Sequence, residues 1–134
     1  MNLSVSMRAL VPAAALVLPL VFAGPASATS WSKVLRVGSA KSQACKTPIN
    51  RGRAWQVKVR LVNGEDAQYR STYTVTGAGG RVVDRVKLVA RPGTTTAVKT
   101  LVIRRVGSQR LGASLATAEG ALGDSSVLHV VGRC

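Results

Sequence analysis

The fold class can be read from residues 55–61, WQVKVRL, in which apolar and polar side chains alternate at every step. Such period-two alternation is typical of a β-strand that buries one face and exposes the other to solvent. The tryptophan, the two valines and the leucine are therefore predicted to face a core, while Lys58 and Arg60 face solvent. A helix of the same length would need apolar residues at spacings that alternate between three and four, whereas here they recur at every second position.

Similar alternation continues along the chain, interrupted by turn signals such as Asn63-Gly64-Glu65-Asp66 and Arg91-Pro92-Gly93. Neighbouring strands are expected to pair as hairpins. About seven short strands predict an all-β domain, a small antiparallel β-sandwich that is immunoglobulin-like or related. Besides the strand around residues 55–61, strands are predicted at 33–37, 69–76, 81–90, 94–106, 111–115 and 127–131.

Two stretches are predicted to be irregular. Residues 38–52 contain Pro48 and two glycines and are expected to form a loop held by Cys45. Residues 111–122 are rich in alanine and leucine, which would allow a single helical turn, although three glycines in and beside the stretch oppose a longer helix.

The amino-terminal residues have the three parts of a secretory signal peptide. Arg8 supplies the positive region, residues 9–23 are apolar, and Ala26 and Ala28 provide the small residues that a signal peptidase requires. The apolar run is shorter than a membrane span and contains two prolines, which argues against a retained anchor. We therefore expect residues 1–28 to be cleaved before Thr29, leaving 29–134 as one exported domain without a transmembrane anchor.

Cys45 and Cys134 are the two cysteines of the chain. In an exported domain an even pair predicts one disulfide, and neither residue has the CxxC or histidine neighbours of a metal site. The bond would tie the last residue of the sequence to an early segment.

The charge balance is strongly basic, with 19 Lys and Arg residues against five Asp and Glu residues, a formal net charge of +14. Such a charge favours anionic partners through attraction that salt screens. Strand alternation places several basic residues on polar faces, where they are predicted to form one positive sheet surface that binds a polyanion. The proposed binding residues are Lys58, Arg60, Arg70, Arg85 and Lys87.

Catalysis is not predicted. The single histidine, His129, falls on the predicted strand 127–131, and no nucleophile motif surrounds Ser125 or Ser126. The carboxylates fall in turns and loops, so neither a glycosidase pair nor an oxygen-ligand metal site is indicated. No cofactor is expected, and catalytic and metal-binding residues are predicted to be none.

Residues 37–46 (VGSAKSQACK), 52–55 (GRAW) and 132–134 (GRC) resemble segments of small secreted proteins of high-GC actinobacteria. This family has no characterised activity. The resemblance implies secretion and a disulfide, and it assigns no active site.

The predicted function is that of a secreted, non-enzymatic basic domain that binds anionic polymers of the cell envelope or the extracellular space. It would lie outside the cell, at or near the wall, with a wall polymer or another surface protein as partner. Nucleic acid ranks lower because most of the few aromatic residues fall on predicted core faces rather than on a stacking surface. The alternative is a secreted inhibitor or toxin acting through an exposed loop such as residues 38–52.

Overall fold

The structure is a computed structural model that describes residues 30–134. The signal peptide predicted at residues 1–28 lies outside the described residues. The strands are β1 Ser32–Val37, β2 Ala40–Ile49, β3 Ala54–Asn63, β4 Tyr69–Thr76, β5 Val82–Ala90, β6 Lys99–Arg104, β7 Arg110–Thr117 and β8 Gly120–Asp124. Short 3-10 turns occupy Asn50–Gly52, Ala78–Gly80 and Leu128–Val130.

The strands form two four-stranded antiparallel sheets packed face to face. The first sheet has the order β1-β2-β3-β6 and the second has the order β5-β4-β7-β8. This confirms the predicted β-sandwich, with one strand more than the approximate number expected. In each sheet one face is buried against the other sheet and one face is left for solvent.

The connections between the sheets follow an immunoglobulin-like pattern. If β2 to β8 are lettered A to G, the sheets become A-B-E and D-C-F-G, with β1 added beside A. Constant-type immunoglobulin domains instead pair A-B-E-D against C-F-G, so the fourth strand has changed sheet here. The pairing of β3 with β6 and of β4 with β7 shows that hairpins account for only part of the sheet order.

The core is made of the inward side chains that alternation predicted. Val57, Val59 and Leu61 of β3 are fully buried, and Tyr73 and Val75 of β4 face them from the second sheet. Leu88, Leu101, Ile103, Leu111 and Leu115 complete the centre of the same cluster. Burying these apolar surfaces is the main favourable contribution to folding.

The loop predicted at residues 38–52 is wrong, because most of this segment is strand β2. Its ten residues pair with all ten of β3, from Ala40 opposite Asn63 to Ile49 opposite Ala54. The inward residues Ala40 and Ala44 are small, so the segment lacks the large apolar residues that mark a strand in the sequence. Residues 40–49 are therefore not part of an exposed loop.

Three further predictions change in the second half of the chain. The helical turn allowed at residues 111–122 is wrong, since this segment forms the β7–β8 hairpin. The strand predicted at 127–131 is also wrong: Leu128–Val130 is a 3-10 turn, and Val127 and Val131 on either side of it are both buried. The strand predicted at 94–106 is shortened to Lys99–Arg104.

The disulfide between Cys45 and Cys134 is confirmed, with a Cα–Cα distance of 4.8 Å. The carboxyl-terminal residues also make a short parallel pairing with β2, in which the amides of Lys46 and Cys134 donate to the carbonyls of Gly132 and Lys46. Since β1 reaches only as far as Ala44 along β2, this segment extends the edge that β1 begins.

Candidate functional site: a basic sheet surface

The solvent face of the first sheet carries a cluster of cations on three neighbouring strands. The register sets Lys33 opposite Gln43, and Gln43 opposite Arg60, so these three side chains point to the same side of the sheet. In the next row Arg36 lies opposite Lys41. We call this surface the basic face, and its cations are Lys33, Arg36, Lys41, Lys58 and Arg60.

Alternation within β3 sets the orientation of this face. Because Val57, Val59 and Leu61 must point into the core, Lys58 and Arg60 between them point outward. A shift of one residue in the register would bury both cations, at a cost that the fold would not tolerate. The basic face is therefore fixed by the same pattern that forms the core.

Arg60 is held in a defined position on this face. Its Nε donates to Oε1 of Gln43 at 2.8 Å, and its guanidinium lies 4.3 Å from the centroid of the Trp31 ring. A stacked guanidinium keeps most of its N–H donors at its edge, where they can reach an anion. Arg60 is thus oriented before any ligand arrives.

The carboxylates of the described residues lie outside the strands of the first sheet. None of the four strands of the first sheet contains Asp or Glu. Glu65 accepts the backbone N–H of Ser39, and Asp66 follows it in the β3–β4 connection. Asp84, Glu119 and Asp124 belong to the second sheet or its turns. The positive charge of the basic face is therefore not neutralised by acids on its own sheet.

The five residues predicted to share one positive surface are divided between two surfaces. Lys58 and Arg60 lie on the basic face, whereas Arg70, Arg85 and Lys87 lie on the solvent face of the second sheet. The expectation of a single surface is wrong because β3 and β4 do not pair with each other. Sequence reasoning missed Lys41 because β2 was expected to be a loop. It missed Lys33 and Arg36 because strict alternation puts residues three apart on opposite faces, whereas the register shift between Lys33 and Leu35 brings them to the same face.

His129 lies in the 3-10 turn Leu128–Val130 and is exposed, rather than on a strand. The carboxylate of nearby Asp124 accepts the backbone N–H of Ser126 at 2.9 Å, which gives it a local structural role. Across residues 30–134, no group of three or more His, Cys, Asp or Glu residues is placed to hold a metal ion.

The hydroxyl groups in the core are closed to solvent. Ser42 Oγ donates to Tyr73 Oη and shares a hydrogen bond with Ser71 Oγ, each at 2.6 Å, and all three residues are fully buried. Burial raises the pKa of the Tyr73 hydroxyl, and the hydrogen bond from Ser42 opposes this only in part. This network joins the two sheets and is inaccessible to a substrate.

A groove of about 510 Å³ lies where the edges of the two sheets diverge, between Val37 of β1 and Leu122 of β8. Arg36 and Glu119 are the charged residues in the lining of this groove, which is otherwise largely apolar. The groove adjoins the basic face through Arg36.

In the described part of the chain, no helix is long and apolar enough to cross a membrane. Comparison of the sequence and fold with protein-family models, curated proteins and solved structures finds no match. The function must therefore be argued from the surface itself.

Proposed function

We propose that this protein is a secreted, non-enzymatic domain that binds an anionic polymer of the cell envelope or extracellular space through its basic face. The observation that supports this most strongly is the concentration of five cations on β1, β2 and β3, on a sheet whose strands contain no acid. The disulfide fits an oxidising compartment, in agreement with the predicted signal peptide and with the resemblance to actinobacterial secreted proteins.

The shape of the basic face favours a polymer over a small ligand. Side chains on one face of a sheet repeat at about 7 Å along a strand and about 4.8 Å between strands. Such a lattice of cations presents many weak contacts to an anion that also carries repeating charges. The total attraction is large, it depends on salt, and it requires no enclosed pocket.

The aromatic residues support a wall or surface polymer over nucleic acid. Trp55 is 8% exposed and Tyr73 is fully buried, so neither ring offers a surface on which a base could stack. Trp31 is partly buried, and the guanidinium of Arg60 lies over its ring. The basic face therefore contains the charges of a nucleic-acid binder without its stacking platform.

The test is a sedimentation assay on isolated actinobacterial cell walls, using two triple variants of equal charge. Lys33→Glu/Lys58→Glu/Arg60→Glu reverses the basic face, and Arg70→Glu/Arg85→Glu/Lys87→Glu reverses the solvent face of the second sheet. We expect the first variant to weaken binding at least tenfold and the second to weaken it less than threefold.

The two variants have the same net charge, so the comparison separates a specific surface from general attraction. Equal losses would mean that net charge alone drives retention, and would refute the assignment to the basic face. Wild-type binding that persists in molar salt would refute the electrostatic mechanism itself.

A further inference from the structure

A second group of cations meets around a single aromatic ring at the end of the sandwich that contains the β2–β3 turn. Lys46 Nζ and the guanidinium carbon of Arg105 each lie 4.8 Å from the centroid of Trp55, and that of Arg133 lies at 5.7 Å. All three positive groups are thus within 5.7 Å of one point. We call these three residues and the ring the Trp55 cluster.

The cluster follows from strand alternation at the open end of the core. Lys46 continues the inward row of β2 after Ala44, and Arg105 continues the inward row of β6 after Ile103. Toward the centre of the sandwich, these two rows contain buried residues such as Ala44 and Ile103. At this end of the sandwich, the same rows lie at the solvent boundary and contain Lys46 and Arg105. Arg133 arrives from the carboxyl-terminal segment, which β2 and the disulfide hold in place.

Backbone carbonyls fix two of the cations. Lys46 Nζ donates to the carbonyl of Leu128 at 3.1 Å. The side chain of Arg105 donates from Nη1 to the carbonyl of Gly52 at 3.2 Å. The backbone amide of Arg105 donates to the carbonyl of Arg53 at 3.0 Å. The β2–β3 turn, which supplies the carbonyls of Gly52 and Arg53, has Asn50 and Arg51 at positive φ, a conformation that is uncommon for residues with side chains.

The three positive charges of the cluster repel one another. Burial lowers the pKa of Lys46, and the neighbouring charges of Arg133 and Arg105 lower it further. No carboxylate contributes in the opposite direction. A bound anion would relieve this repulsion.

The donors of the cluster suit an oxyanion. Lys46 uses one of its three N–H donors on Leu128, and the guanidinium groups over the indole ring keep edge donors for another acceptor. One carboxylate carries a single charge and is satisfied by one arginine. Three convergent cations better match a phosphate group, which carries up to two charges on three terminal oxygens.

We propose that Lys46, Arg105 and Arg133 form a binding site for one phosphate group beside Trp55, separate from the basic face. The phosphate group is either free inorganic phosphate or the terminal phosphomonoester of a larger molecule. This site is independent of the proposed function, because none of its residues belongs to the basic face.

Trp55 provides the signal for the test. The chain has two tryptophans, so Trp31→Phe leaves Trp55 as the single indole fluorophore. This protein is titrated with inorganic phosphate and, separately, with glycerol 3-phosphate, at an ionic strength held constant with sodium chloride. We expect a saturable change in Trp55 fluorescence, and none with sodium acetate.

Arg105→Gln and Arg133→Gln, each in the Trp31→Phe background, should weaken phosphate binding at least tenfold. Arg104→Gln is the matched control, since Arg104 pairs with Ala54 and points away from Trp55 although it precedes Arg105 in sequence. It should bind phosphate within twofold of the parent. Circular dichroism verifies that each variant is folded. If the Arg105→Gln variant unfolds, the Arg133→Gln variant still tests the site, because the Arg133 side chain is exposed.

Saturation by inorganic phosphate alone would identify free phosphate as the ligand, and saturation by glycerol 3-phosphate would identify a phosphomonoester. No saturable response to either, or equal loss in the Arg104 control, would overturn the proposal. Reversal of Lys33, Lys58 and Arg60 should leave this titration unchanged, so the two proposals can fail separately.

Discussion

Three hydroxyl groups connect the sheets at the level of single side chains. Ser42 of the first sheet bonds to Ser71 and Tyr73 of the second, in a core that is otherwise apolar. A buried polar group is costly unless it is bonded, so this network favours one alignment of the two sheets. Alternation predicted that Tyr73 faces inward, but its partner Ser42 was hidden in a segment expected to be a loop.

Tyr73→Phe should reveal the raised pKa of this tyrosine. The folded state holds the phenol proton at a pH where the unfolded state loses it, so the contribution of Tyr73 to the free energy of unfolding is constant below the ordinary tyrosine pKa of 10.0 and falls above it. The variant should cost about 1 kcal/mol at pH 7 through the lost hydrogen bond, and this difference should shrink by pH 11.

Urea unfolding at both pH values measures this difference, with Tyr69→Phe as the control because Tyr69 lies outside the network. A Tyr73→Phe difference that stays constant or grows between pH 7 and pH 11 would contradict the assignment.

Single strands show what alternation can and cannot predict. The pattern identified β3 and β4 because large apolar residues mark their inward rows, and it identified β5 because that stretch is rich in valine. It failed for β2, where Ala40, Ser42 and Ala44 fill that row and Pro48 suggests a turn. Pro48 is tolerated because β1 has already ended there, so the missing N–H removes no bond to β1.

The carboxyl-terminal segment depends on its disulfide. The bond closes a span of 89 residues, for which chain entropy gives up to about 4.5 kcal/mol. Cys45→Ala/Cys134→Ala should therefore lower the free energy of unfolding by about 3 to 5 kcal/mol. Hydrogen exchange at the amides of Lys46 and Cys134 should accelerate, because their bonds belong to the segment that is released.

The measurement is urea unfolding together with amide exchange followed by NMR. The amides of the paired strands β4 and β7 should remain among the slowest to exchange, and they serve as the internal control. An unchanged free energy of unfolding would show that the parallel pairing holds the segment without the disulfide.

For the whole molecule, alternation predicted the class of fold but not the neighbours of each strand. A period-two pattern determines which side chains are buried, and it carries no information on which strand pairs with which. The chain changes sheet after β3, where buried Asn63 donates to the carbonyls of Ala67 and Ala90 and fixes the corner. This crossover separates Lys58 and Arg60 from Arg70, and it could not be inferred from turn residues alone.

The net charge should make stability depend on salt. Like charges on so basic a chain repel one another in the compact state more than in the unfolded state. Raising sodium chloride from 10 mM to about 150 mM shortens the screening length to about 8 Å and should raise Tm. Differential scanning calorimetry measures the shift, and the Lys33→Glu/Lys58→Glu/Arg60→Glu variant should show a smaller one. A Tm that falls over this salt range would contradict the role assigned to repulsion.

We propose that the basic face, and not positive charge in general, contacts the anionic partner. Amide chemical-shift mapping of the 15N-labelled domain during titration with poly-L-glutamate, a polyanion without phosphate groups, tests this contact without engaging the proposed phosphate site. We expect the largest shifts at the amides of Lys33, Arg36, Lys41, Lys58 and Arg60 on β1 to β3, and we expect high salt to reverse them. The largest shifts at Arg70, Arg85 and Lys87, or shifts spread evenly over both sheets, would contradict it.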